Sequence, residues 1–121
     1  MSLKESGEMY LESIYVLCGQ KTSVRSIDVA EHMNFTKPSV SRAVGLLKKR
    51  GYITVDEDGF LALTDIGAEY AQKIYERHTV LSKILIQLGV DEKTAAEDAC
   101  RMEHVISDTT FEALKRHAEG K

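Results

Sequence analysis

The stretch SVRSIDVAEHMNFTKPSVSRAVGLLKKRGYITVDEDGFLAL, Ser23 to Leu63, constrains the fold more than any other part of the chain. Ser26 reads as the N-cap of a short helix over Ile27 to Met33. A break at Asn34-Phe35-Thr36 follows, and a second helix starts near Lys37 with Pro38 in its first turn. Proline's missing N–H is harmless there, because the first helical N–H groups have no partner within the helix. Val40, Val44 and Leu47 recur at i, i+4 and i+7, and Gly51 ends the helix. YITVDEDGFLAL then alternates on both sides of Asp58-Gly59, a pair suited to the positive φ of a hairpin turn. Two short helices, a tight break and a hairpin make the winged helix-turn-helix pattern.

The flanking segments are helical. Met9, Tyr10, Ile14, Leu17 and Cys18 have helical spacing, ending near Gly19. After the hairpin, Thr64 caps a long helix over DIGAEYAQKIYERHTVLSKILIQLG, Asp65 to Gly89. Its stripe runs Ile66, Tyr70, Ile74, His78, Leu81, Leu85 and Leu88. Two more helices follow, roughly Glu92 to Ile106 and Asp108 to Ala118. The expected fold is therefore mainly α: an N-terminal winged helix-turn-helix domain over residues 1–63, then an α-helical domain over 64–121. The apolar C-terminal helices are assigned to dimerisation. No apolar run approaches the roughly 18 residues a membrane span needs, and MSLKESGEMYLES lacks the layout of a signal peptide. A cytoplasmic protein with no membrane partner is expected. Cys18 and Cys100, 82 positions apart, are expected to be reduced thiols.

The net charge of −3 argues against nucleic acid only if the charge is evenly spread. It is not. Residues 21–50 carry seven Lys/Arg against two Asp/Glu, a basic island in an acidic chain. Local charge decides what a polyanion feels, because salt screens beyond about 8 Å. The second short helix begins TKPSVSR, and such a helix fits the major groove with its N-terminal residues at the base edges. Thr36, Ser39 and Ser41 can bond phosphates or bases, and Lys37 and Arg42 supply charge, beside Pro38 in the same turn. Arg42 is the expected direct reader, since a guanidinium grips guanine O6 and N7 together. Lys48 at the far end is expected at a phosphate or simply in solvent, and Ser26 at the start of the preceding helix is counted among the DNA-binding residues. A Lys/Arg-rich helix is more often a solvated face; the capped helix before it and the hairpin after it tip the reading to double-stranded DNA. Asp56, Glu57 and Asp58 at the hairpin tip would be repelled by phosphate, so the wing is a weak contact or none.

ACRMEHVISD raises a second question. If it is helical, Cys100, Glu103 and His104 share one face, a thiol, a carboxylate and an imidazole. Each alone has an ordinary reading: a buried small hydrophobe, a surface charge and a satisfied core histidine. Together they could ligate a metal, and the residues alone leave both readings open. Met9 and Glu12 set a thioether and a carboxylate one turn apart on the first helix. His78 interrupts an apolar stripe, and a buried imidazole needs a carboxylate or a metal as partner.

EMYLESIY near the start, the winged helix-turn-helix, ERH in the long helix and DACRMEHVISD together resemble the diphtheria toxin repressor and manganese transport regulator family. The likeness runs over essentially the whole chain, in its short two-domain form without the SH3-like domain of longer relatives. It implies a homodimeric, metal-activated transcriptional repressor of metal-homeostasis genes, with Fe(II) or Mn(II) as corepressor. The iron-responsive branch would ligate its activating ion through Met9, Cys100, Glu103 and His104. The manganese-responsive branch would add a second ion through Glu12 and His78. Met9 and Cys100 follow the iron type and Glu12 the manganese type, so the chain mixes the two. The iron branch's ancillary site would need Glu and His where this chain has Ser82 and Ala96, a departure from that site. Thiolate and thioether are soft donors, which favours Fe(II) over Mn(II). Two other readings remain at this point. One is a winged-helix regulator that responds to redox state, through Cys100, or to a small organic ligand. The other is a small metalloenzyme, which is disfavoured because no spare general base sits in a motif.

Overall fold

The computed structural model describes residues 5–120, and the elements follow in the expected order. They are α1 (Glu5–Gln20), α2 (Ser26–Met33), α3 (Lys37–Lys49), β1 (Ile53–Val55), β2 (Leu61–Leu63), α4 (Asp65–Gln87), α5 (Glu92–Met102) and α6 (Asp108–Ala118). The chain divides into two compact units, one running to Gln72 and the other starting at Lys73. Among the described residues, no helix is long and apolar enough to cross a membrane.

In the N-terminal unit, α2 begins one residue earlier than its sequence suggests. Ser26 is the first helical residue, and Arg25 is the N-cap, extended at φ −119° and ψ 168°. Arg25 is held extended because it bridges Phe60 in antiparallel fashion, with its guanidinium carbon 4.4 Å from the Phe60 ring centroid. The Asp28 carboxylate then reaches back and accepts the Arg25 backbone N–H at 2.8 Å, the side-chain half of a capping box. The Lys21 ammonium, also 2.8 Å away, is the main cause that holds the Asp28 carboxyl below its usual range; the Arg25 N–H adds to it.

Asn34 closes α2 in the left-handed conformation at φ 59°, with the Phe35 N–H donating to Ala30 O at 3.0 Å. Thr36 starts α3 by accepting the Ser39 N–H at 3.4 Å. Gly51, at φ 83°, ends it as a Schellman motif. Its own N–H donates to Lys48 O at 3.1 Å and that of Tyr52 to Leu47 O at 3.0 Å. The hairpin pairs Ile53 with Leu63, Thr54 with Ala62 and Val55 with Leu61. Its connection is a five-residue loop, 56–60, and not a two-residue turn at Asp58-Gly59. Asp56 Oδ1 accepts the backbone N–H groups of Asp58 and Phe60, both at 2.9 Å, and Gly59 takes φ 85°. One of the three acidic tip residues thus builds the loop.

Thr64 caps α4 as expected, accepting the Gly67 N–H at 3.0 Å and donating to Gly51 O at 2.7 Å. Gly67 lets the first turn of α4 lie against the Tyr52 carbonyl; a Cβ there would sit 1.8 Å from that oxygen. The Tyr70 hydroxyl donates to Glu8 at 2.5 Å, and its ring meets Tyr52 edge-on. The core of this unit is built from Leu11, Ile14, Leu17, Val24, Val29, Val40, Val44, Leu47, Ile53 and Leu61, so Tyr10, Ile14 and Leu17 of α1 and the three apolar positions read from α3 face inward.

In the C-terminal unit, α4 ends at Gln87, two residues before the expected stop, and Gly89 at φ 101° turns the chain. Asp91 caps α5 by accepting the Thr94 N–H at 3.0 Å, and Ser107 caps α6 by accepting that of Thr110 at 3.1 Å. Ile74, Leu81, Ala95, Ala99 and Phe111 are buried. The long apolar stripe is covered only in its middle. Ile66, in the first turn of α4, and Leu88, past its last, are 65% and 74% exposed. The expected helix to Ile106 stops at Met102; beyond it the Val105 N–H closes a tighter i→i−3 turn on Met102 O at 3.1 Å, and the Ile106 N–H shares that carbonyl at 3.2 Å.

Candidate metal centre and nucleic-acid interface

The start of α3 presents the residues expected at DNA. Thr36, Lys37, Pro38, Ser41 and Arg42 are exposed, as is Lys48 at the far end. Ser39 is half-buried, and the Thr36 hydroxyl donates to it at 2.9 Å, so these two residues shape the turn as well as face outward. Ser26, at the first position of α2, is half-buried. The opposite side of α3 carries Val40, Val44 and Leu47 into the core, which fixes the direction in which the basic side points.

Cys100, Glu103 and His104 converge, with one ligand atom from each lying within 4.8 Å of the other two. Glu103 still holds helical dihedrals, φ −60° and ψ −25°, with its N–H on Ala99 O at 2.9 Å, and the regular helix ends just before it. Cys100 is in the last turn of α5, Glu103 is its C-cap and His104 follows in the turn. Glu103 is 1% exposed, and its two oxygens face different imidazoles. Oε1 lies 3.2 Å from His104 Nε2, and Oε2 lies 3.2 Å from His78 Nδ1. His78, on α4, keeps about a third of its ring in solvent, whereas the His104 side chain has none. Met9 and Glu12, one turn apart on α1, belong to the N-terminal unit and are half-buried.

This donor set suits a divalent ion. Taking a carboxylate from water is expensive unless positive charge meets it. Here a thiol and two imidazole nitrogens, metal ligand types that bind when deprotonated or neutral, stand beside it. The structure also shows what the sequence did not disclose. Arg77, read only as part of ERH, donates from Nη1 to Glu103 O at 3.1 Å and to Ile106 O at 2.8 Å. Its Nη2 pairs with the Asp108 carboxylate. An arginine on a long helix normally reads as solvated surface, and nothing in the local spacing marks this one.

Two family models match successive parts of the chain. The model of the iron-dependent repressor N-terminal DNA-binding domain matches residues 2–61. That of the iron-dependent repressor metal-binding and dimerisation domain matches residues 64–119. An uncharacterised HTH-type transcriptional regulator of Methanocaldococcus jannaschii is 34% identical over 115 residues, covering 93% of this chain and 92% of its own length. The HTH-type transcriptional regulator MntR of Lysinibacillus sphaericus is 33% identical, over 90% of this chain and 78% of its own. The diphtheria toxin repressor of Corynebacterium diphtheriae is 31% identical over 88% of this chain, which spans 47% of that protein. Among solved structures, the metal-dependent transcriptional regulator MtsR matches with a TM-score of 0.87 and 28% identity, over 95% of this chain and 54% of that one. The manganese regulator SloR matches with a TM-score of 0.84 and 26% identity, over 100% and 56%. The chain thus spans about half the length of those two structures. Family membership favours metal over a redox or organic-ligand signal, and the family consists of transcriptional regulators rather than enzymes. The chain belongs to the iron-dependent repressor family of metal-dependent transcriptional regulators, with a DNA-binding domain in its first half and a metal-binding and dimerisation domain in its second.

Proposed function

We propose that this protein is a cytoplasmic, homodimeric repressor that grips operator DNA when Fe(II), or Mn(II) next, is bound. The activating ion would be held by Met9, Cys100, Glu103 and His104, and a second ion by Glu12 and His78. The observation that carries this reading is the buried Glu103 carboxylate with Cys100, His78 and His104 gathered around it. Soft sulfur donors favour Fe(II) over Mn(II); by the general affinity order zinc would bind more tightly still, so availability sets the working metal. We place the boundary between the DNA-binding and metal-binding domains at Leu63-Thr64, where the wing ends and α4 is capped.

A bound ion would supply one positive centre for donors from both halves of the chain to share. Met9 and Glu12 lie on the helix that packs against α2 and α3, the DNA-reading pair. Cys100, Glu103, His104 and His78 belong to the domain assigned to dimerisation. Only an arrangement with both donor groups assembled gains from the ion, so its population rises. Half-sites about one helical turn apart can be gripped only when the twin recognition helices have matching separation. Reciprocity requires operator DNA to tighten metal binding by the same factor.

A gel-retention assay under anaerobic conditions, with Fe(II), Mn(II), Co(II) and Zn(II) titrated against a duplex selected from a random pool, tests this. Retention is expected to depend on added metal and to vanish in Cys100→Ala and Glu103→Ala. Retention unaffected by chelator and by both substitutions would sink the proposal. On the DNA side, Arg42→Ala is expected to cost about 1–3 kcal/mol of binding and to relax specificity at one base pair. Lys48→Ala should weaken all sequences alike and lower the slope of log K against log salt by about 1. Equal loss on all sequences for Arg42→Ala would remove it from base reading.

A further inference from the structure

Two consecutive residues of α4 hold Glu103 by its two ends. His78 Nδ1 is 3.2 Å from the Glu103 carboxylate, while Arg77 Nη1 donates to the Glu103 backbone carbonyl at 3.1 Å. The same Nη1 donates to Ile106 O at 2.8 Å, and Nη2 pairs with Asp108, the first residue of α6. The guanidinium carbon also lies 5.4 Å from the Phe111 ring centroid. From these contacts we infer that Arg77 is a positioning residue for the metal centre: it clamps the turn between α5 and α6 so that Glu103 and His104 project toward Cys100. The inference rests on the metal reading above and adds a residue to it that is not itself a ligand.

The physical reason lies in what a helix end leaves undone. The last carbonyls of α5 have no partner within the helix, and the chain leaves regular structure where two candidate ligands, Glu103 and His104, must be aimed. A turn closed by the two backbone bonds to Met102 O would sample several conformations, and each would carry both side chains with it. The guanidinium fork is planar and presents five donors in a fixed geometry, so one side chain can bridge two carbonyls and a carboxylate. Its positive charge also complements the negative end of α5. Rooted in the middle of a long helix, beside His78, it transmits the position of α4 to the turn. An ammonium is a point charge on a flexible stem and cannot reproduce this span. Groups that orient metal ligands without touching metal typically set affinity by about 10–100-fold.

Arg77→Met keeps an apolar stem against Phe111 and removes every donor, and Arg77→Lys keeps only the charge. Anaerobic titration with Co(II), followed by its thiolate charge-transfer absorption, is expected to show affinity about 10–100-fold weaker in Arg77→Met and only partly restored in Arg77→Lys. In the metal-free protein, amide hydrogen exchange at residues 104–107 should accelerate while that of the buried face of α4 stays unchanged. Asp108 is 96% exposed, so Asp108→Ala should change affinity by no more than about fivefold. Ala113→Gly, on the exposed side of α6, destabilises that helix without touching the turn and should leave Co(II) affinity where it was. Parent affinity in Arg77→Met, or an equal loss in Ala113→Gly, would overturn the inference and leave the metal reading standing. Failure of the unsubstituted protein to bind Co(II) would overturn the metal reading itself and this inference with it.

Discussion

Glu103→Gln is expected to abolish the thermal stabilisation that Fe(II), Mn(II) or Co(II) confers on this protein. The substitution is nearly isosteric, so it leaves the buried site filled; what it removes is the negative charge the two imidazoles face. An ion that binds only the folded state stabilises it by about 2.7 kcal/mol at a hundredfold excess over Kd. For a chain of this size that is on the order of 10 °C in Tm. An amide is a poor substitute donor, and at 1% exposure Glu103 has no water to stand in for the lost charge. Differential scanning fluorimetry with and without metal reads the effect directly. A Glu103→Gln variant whose Tm rises with metal as much as the parent's would remove Glu103 from the ligand set.

Gly67→Ala is expected to destabilise the N-terminal unit by at least about 2 kcal/mol, against the intrinsic preference of a helix for alanine. That preference is worth about 1 kcal/mol in favour of the substitution. Opposing it, the new Cβ would lie 1.8 Å from the Tyr52 carbonyl oxygen and 2.8 Å from its carbon. Both are backbone atoms, so no side chain can swing aside, and overpacking, which typically costs about 1–3 kcal/mol, falls here at or above the top of that range. Moving the backbone would disturb the Thr64 N–H bond to the same carbonyl, 3.0 Å long, and the Tyr70–Glu8 bond one turn further along α4. Gly45→Ala is the matched control. It lies on the exposed side of α3, with nothing within 4 Å of where a Cβ would stand. There the intrinsic term acts alone and should stabilise by about 0.5–1 kcal/mol. Urea denaturation of both variants decides the matter; a Gly67→Ala protein as stable as Gly45→Ala would mean that the helix shifts away at little cost.

The candidate site was half legible in the sequence. Cys100, Glu103 and His104 stand within five positions, so their convergence follows from local chain geometry whether the segment is helix or turn. His78 betrayed itself by breaking an apolar stripe, and it does face a buried carboxylate. Arg77 gave no such sign. Its role depends on where α5 ends in space relative to α4, and an arginine that caps another helix has the same neighbours in sequence as one in solvent. The expected end of α5 was misplaced for a related reason. Residues 103–106 carry good helical spacing, but the Val105 N–H tightens onto Met102 O while Arg77 takes the carbonyls of Glu103 and Ile106.

Local rules were decisive wherever a residue's role depends on chain neighbours a few positions away. Thr36 and Thr64 cap the helices that follow them, Gly51 takes the left-handed turn, and Val40, Val44 and Leu47 put one side of α3 inside and its basic side out. The order of the helices and the hairpin, and the side of α3 that stays exposed, were therefore determined by the sequence alone. Other features belong to tertiary structure. Arg25 displaced Ser26 as a cap because Phe60, 35 positions away, holds it extended. Gly67 is required because Tyr52 lies beneath it, and Glu103 is buried because α4 crosses its turn. Each of these depends on which distant backbone or side chain occupies the adjoining space, and periodicity carries no record of that.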